Sequence, residues 1–307
     1  NIYAAVALTL YGESAQGDKA KVVVNGGALE ANYYAITGNG TRHNTEIVVN
    51  GGTLYGVNGT GIYNPQGGLV TINDGTIKGL ETAIEMRAGD LVINNGTFAA
   101  LSNTFSVTGN GSGTTIIGVI IAISQHTTLK PITVTINGGT FEDGIRALAM
   151  YDTVSSGHSN LMNVTINGGS FDSKKNAATK TIDVNNGNLL IKGGEFNSGA
   201  DNDGLGCSTV YAANYGYVTI EGGSFKAGAK WADRYWTLNI KNDSKTTAKM
   251  EVKGGTFVEF DPSHPNTDDN DNYVAEGYVA TEDGNSNYVV TLAPVEENEN
   301  QNQQGND

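Results

Sequence analysis

A Gly-Gly pair, preceded by an apolar run and followed by Thr or Ser and then an apolar residue, recurs along the whole chain. No other feature restricts the fold as strongly, because a short motif repeated every 20 to 50 residues marks a solenoid or an array. Early copies read Val22-Val23-Val24-Asn25-Gly26-Gly27-Ala28-Leu29 and Val48-Val49-Asn50-Gly51-Gly52-Thr53-Leu54. Thr71-Ile72-Asn73-Asp74-Gly75-Thr76-Ile77 and Val92-Ile93-Asn94-Asn95-Gly96-Thr97-Phe98 follow, and later copies centre on Gly139, Gly169, Gly194, Gly223 and Gly255. Between successive last glycines the steps are 25, 23, 21, 43, 30, 25, 29 and 32 residues. These are lengths for one coil of a β-solenoid; the step of 43 reads as two coils, one of which has lost its motif.

Each repeat carries a second strand signal with period-two alternation, as in Tyr34-Ala35-Ile36, Thr82-Ala83-Ile84-Glu85-Met86, Arg146-Ala147-Leu148-Ala149-Met150 and Thr181-Ile182-Asp183-Val184. The shortest repeat has no room for a helix, so turns join the strands and equivalent strands stack in parallel, about 4.8 Å apart. The expected fold is all-β, a single-stranded right-handed parallel β-helix, its hand set by the chirality of parallel crossovers. Stacking predicts an inward ladder of Leu29, Leu54, Ile77, Phe98, Phe141, Phe171, Phe196, Phe225 and Phe257. It also predicts an Asn ladder, Asn25, Asn50, Asn73, Asn94, Asn137 and Asn167, bonded side chain to side chain. Lys192, Glu221 and Lys253 take the Asn position in later coils and end that ladder. The glycines supply backbone angles that other residues resist.

The expected organisation is an N-terminal cap or first coil over 1–20 and a β-helix of about nine to ten coils over 21–260. An acidic loop and capping hairpin occupy 261–292, and a disordered Glu/Asn/Gln tail 293–307. The hairpin arms are Tyr273–Val279 and Asn287–Leu292 around Glu282–Ser286. Ile2–Tyr11 is a candidate cap for the other end, and Ile116–Ile123 a short buried strand.

Charge narrows the partners. With 18 basic against 32 acidic residues, the net charge is −14, which disfavours nucleic acid and anionic lipid. No apolar run is long enough for a membrane helix. One cysteine, Cys207, permits no internal disulfide.

Gly61-Ile62-Tyr63-Asn64-Pro65-Gln66-Gly67-Gly68, Ala83–Gly89 and Ile123–Thr128 resemble a family of Gly-Gly-Thr-Phe parallel β-helix repeat proteins. That family occurs on the surfaces of gut Gram-positive bacteria and in related phages. Gly254–Pro262 followed by Tyr273–Tyr278 resembles the segment that closes such arrays. The resemblance, over most of residues 20–292, implies a secreted, cell-surface or phage-virion protein with an adhesin-like or structural role. It names no ligand, cofactor or catalytic residue.

Candidate chemistry falls on the second strand of each repeat. Its outward positions are Thr37, Tyr63, Glu85, Ala122, Ala149, Asp183, Tyr211 and Asn239. Tyr63, Glu85, Arg87, Gln125, His126, Tyr151, Asp183 and Tyr211 form an aromatic and planar-polar surface suited to a glycan or a cell-surface protein, with Ala122 and Ala149 leaving a shallow groove. Burial of Tyr63, Tyr151 and Tyr211 would remove that site. For a polysaccharide-cleaving enzyme, the alternative reading, Glu85 and Asp183 are three coils apart and too distant, which leaves Asp152 and Asp183 on adjacent coils. Glu85 and Arg87 point the same way and should pair with each other. Asp201, Asp203, Asp269 and Asp271 sit in acidic loops that could hold Ca²⁺, but no Glu follows at EF-hand spacing. No cofactor is implied.

Overall fold

The computed structural model describes residues 4–12, 19–173, 180–199, 207–231, 234–265 and 271–294. The fold is a parallel β-helix with three strands per coil, and the three ladders they form run the length of the molecule. The first face stacks Ala20–Val24, Thr45–Val49, Gly68–Ile72, Gly89–Ile93, Ile132–Ile136 and Met162–Ile166, then the second halves of Lys180–Ile191 and Ser208–Ile220, then Lys249–Val252. The second face begins at Ala28–Ala31 and ends at Gly255–Val258. The third begins at Val6–Thr9, passes through Thr60–Asn64, Thr82–Met86, Val119–Ser124 and Arg146–Tyr151, and ends at Leu238–Ile240. Val6–Thr9 is therefore a rung of the helix rather than a separate cap.

The inward ladder on the second face is in register from Leu29 to Phe257. Its six phenylalanine rings lie nearly parallel, with centroids 4.4 to 5.0 Å apart. The strand spacing sets that distance, so each buried ring meets its neighbours face to face. At the preceding turn the amide ladder is complete. Asn50 Nδ2 donates to Asn25 Oδ1 at 2.7 Å, and the relay continues through Asn73, Asn94 and Asn137 to Asn167 at 2.7 to 2.9 Å. Each amide thus has a partner although the turn leaves it at the surface.

The last glycine of each motif copy has positive φ, from +78° at Gly27 to +127° at Gly96. At Gly169, φ is +115°, and a Cβ there would lie 3.1 Å from the Gly139 carbonyl one coil away. Gly169→Ala is expected to cost about 1–3 kcal/mol through backbone strain and to lower the melting temperature, as a thermal melt would show. An unchanged melt would mean that the turn can relax without its glycine.

The step of 43 residues is one coil, not two. Ile84 pairs with Ile121, Leu91 with Val134 and Phe98 with Phe141, with no rung between. The extra residues form an antiparallel hairpin, Ser106–Asn110 with Gly113–Ile117. The apolar run Ile116–Ile123 is consequently broken at Gly118 (φ +82°), one part in the hairpin and the other, Val119–Ser124, in the third face.

At the C-terminal end, Tyr278–Glu282 and Asn287–Leu292 form the expected hairpin, and Asn287–Leu292 pairs antiparallel with Gly255–Val258. The first arm starts later than expected, because Tyr273–Ala275 is used elsewhere. Val252 N donates to Tyr273 O, and Ala275 N to Val252 O, which covers the last edge of the first face. Unpaired edges on both faces are thereby blocked. Among the tail residues only Ala293 and Pro294 are described.

Candidate functional site

The outward row of the third face is in register as expected. Thr37 pairs with Tyr63, Tyr63 with Glu85, Glu85 with Ala122, Ala122 with Ala149, Ala149 with Asp183, and Asp183 with Tyr211. Its exposure is not as expected. Glu85, Arg87, Gln125 and Asp183 are buried, and Tyr63, Tyr151, Tyr211 and His126 are half-buried.

The cause is the inserted hairpin, which lies over the middle of the row. Ile116 packs on Val119, Ala122 and Ala149, joined by Phe105, Val107 and Tyr151. The two alanines do leave a depression, but the chain's own Ile116 and Phe105 fill it. The small residues are therefore a seat rather than a groove.

Two charge clusters are held at the margins of this contact. In the first, Arg87 Nε donates to Glu85 Oε1 at 2.9 Å, the pair expected from their shared direction. The rest of the guanidinium reaches the hairpin, Nη1 to Ser112 Oγ at 3.0 Å and Nη2 to Thr115 Oγ1 at 2.7 Å. Burial raises the Glu85 carboxyl above its usual range, and the Arg87 charge opposes that shift. Tyr63 lies between the Tyr34 ring at 5.2 Å and the Arg87 guanidinium at 5.2 Å, and burial pushes its hydroxyl up to about 12.

In the second cluster, Asp183 Oδ2 accepts from Arg146 Nε at 2.6 Å and from the Tyr151 hydroxyl at 2.9 Å, with Lys180 Nζ at 3.9 Å. Arg146 stacks on Phe105 at 3.3 Å and Lys180 on Tyr211 at 3.5 Å. Burial raises the Tyr151 hydroxyl above its usual range and lowers the Lys180 ammonium; burial, helped by Asp183, pushes the Tyr211 hydroxyl up to about 12. Cations or aromatic rings thus lie against the rings of Tyr63, Tyr151 and Tyr211.

Asp152 and Asp183 do not converge. Asp183 pairs with Ala149, so Asp152 lies three residues further along, about 10 Å at strand rise. Its carboxylate accepts from the backbone N of Val154 at 2.7 Å and of Ser155 at 3.1 Å, and from the Ser155 hydroxyl, closing a local turn. Gln125 is fully buried, and the His126 ring lies over Gly40, with Nδ1 3.1 Å from the backbone N of Thr128. Burial, with Arg87 and Lys130 nearby, lowers the His126 imidazole. Of the calcium candidates, Asp271 pairs with Lys245 at 2.7 Å; Asp201, Asp203 and Asp269 lie outside the described residues.

The residues missed by sequence reasoning are those of the hairpin, Phe105, Ser112, Thr115 and Ile116. A signal was present: Gly109-Asn110-Gly111-Ser112-Gly113 is turn chemistry between two β-rich runs, inside the one overlong step. Comparison of the chain with protein-family models, with curated proteins and with solved structures finds no match.

Proposed function

We propose that this chain is a non-enzymatic, rigid β-helical module of a secreted or surface-exposed protein, acting as an adhesin-like or structural element toward glycans or cell-surface proteins. The observation that carries the reading is the fate of the third-face carboxylates. Glu85 and Asp183 are each buried against an arginine, and they stand three rungs apart, about 14 Å at the spacing of stacked strands. Glycoside cleavage uses two carboxyls about 5 to 9.5 Å apart in an open cleft. The composition fits display outside a cell, with net charge −14 for solubility and the C-terminal edges of the first and second faces covered against self-pairing. The motif resemblance points to the same setting.

Incubation of the chain with panels of neutral and uronic-acid polysaccharides tests the reading through new reducing ends and unsaturated sugar products. No product is expected. Product release that Asp183→Asn abolishes would overturn the proposal in favour of an enzyme.

A further inference from the structure

A separate concavity lies away from the third-face row. We infer that a cavity near the C-terminal end of the first face is a binding site for a short neutral oligosaccharide; this rests on the adhesin-like reading above and gives it a site.

The corner between third and first faces varies from coil to coil. In Lys180–Ile191 and Ser208–Ile220 a single strand runs straight through the corner, so these coils add no connection of their own there. The coil before them carries the long connection 152–161, and the coil after them carries 241–248. Residues 157–159 of the earlier connection fold over the Lys180–Ile191 corner, where Asn186 accepts from Ser159 N and donates to Gly157 O, which leaves a concavity between them and connection 241–248. At its C-terminal side lies a cavity of about 770 Å³, bounded by Tyr217, Lys249 and Glu251 of the first face and by Lys245 and Asp271. That is the size of a small-ligand site.

The lining selects the ligand class. The outward row here is Asn163, Asn188, Tyr217 and Lys249, in register. Asn188 Nδ2 donates to Asn163 Oδ1 at 2.9 Å, and Asn188 Oδ1 lies 3.0 Å from His158 Nε2. The His158 ring stacks on Tyr217 at 3.9 Å, so connection 152–161 holds the ring from its N-terminal side. The Lys249 ammonium stands 5.4 Å from the Tyr217 centroid on an exposed, flexible stem. The cavity is lined by charges of both signs, Lys245 and Lys249 against Glu251, Asp271 and Glu276, and Lys245, Asp271 and Glu251 are held in ion pairs. Lys245 pairs with Asp271 at 2.7 Å, and Glu251 pairs with Lys253 at 2.9 Å. The acidic excess of one disfavours an anion, and the ammonium groups of Lys245 and Lys249 disfavour a cation. A neutral polyol, which donates and accepts along its length, matches amides, a phenol and paired charges beside an aromatic edge.

Titration calorimetry of the whole chain with neutral, uronic and sialylated oligosaccharides of two to four residues tests the site. A neutral oligosaccharide is expected to bind, and Lys249→Ala and Tyr217→Ala are each expected to weaken it at least tenfold. Glu30→Ala, at an exposed position on the first rung of the second face, should leave the affinity unchanged. Lys249→Ala is the control against misfolding, since its side chain is exposed and its melting temperature should match the parent. Binding of charged sugars only, binding indifferent to both Lys249→Ala and Tyr217→Ala, or no binding to any neutral sugar at millimolar concentration would overturn the inference. None of those results would disturb the non-enzymatic reading, which falls only if the polysaccharide assay yields product.

Discussion

Phe171→Ala is expected to destabilise the protein by about 3–5 kcal/mol, the usual cost of deleting a fully buried phenylalanine ring. Phe171 is fully buried between Phe141, 4.4 Å away, and Phe196, 4.8 Å away, so the substitution opens a gap with aromatic rings on both sides. The neighbouring rings are held at strand spacing by backbone pairing and cannot collapse into the gap without breaking register. In a solenoid each coil contacts only its neighbours, so the damage should concentrate there. Hydrogen exchange should show lost protection in the coils of Phe141, Phe171 and Phe196 before the ends of the molecule, together with a lower denaturation midpoint. Leu29→Ala, at the partly exposed first rung, should cost much less. Equal losses at the two positions would mean that stacking depth does not set the energy.

Arg146→Ala should cost a similar amount, about 3–5 kcal/mol, because it strands a buried carboxylate. Asp183 has no exposed surface, and among the described residues its Oδ1 has no hydrogen-bond partner, so its charge depends on the Oδ2 contacts. Without Arg146 these are the Tyr151 hydroxyl at 2.9 Å and Lys180 at 3.9 Å. Phe105 also loses the guanidinium stacked on it, so the hairpin should loosen over this region. Removing both charges, as in Arg146→Met with Asp183→Asn, should recover most of the loss, since a neutral pair of similar volume carries no desolvation penalty of that size. Chemical denaturation of the parent, the single variant and the double variant decides it. A double variant as unstable as Arg146→Ala would show that the guanidinium's stacking on Phe105, and not the stranded charge, is what matters.

The repeat carried most of this architecture because its positions must be the same in every coil. The inward ladder from Leu29 to Phe257, the amide relay from Asn25 to Asn167 and the outward row from Thr37 to Asn239 all followed from alignment of the copies. Such inferences succeed because a stacked strand gives each residue two neighbours, and both are its equivalents one coil away. The Glu85–Arg87 pair was legible for a related reason, as residues two apart on a strand share a face.

The candidate site was legible only in part, because its fate depends on residues that belong to no repeat. Ala122 and Ala149 look like the floor of a groove until Ile116 is placed on them; Glu85 and Arg87 look solvent-facing until the hairpin meets the guanidinium, and Asp183 until Arg146, Tyr151 and Lys180 close over it. Likewise, the length of a corner connection can be counted, but its direction across the surface cannot, and that direction shapes the cavity beside Tyr217 and Lys249. Period and pattern are local and determine which residues face inward and which rung each belongs to. The burial of outward residues is settled by how an inserted segment packs against coils that precede and follow it, and only the tertiary structure decides that.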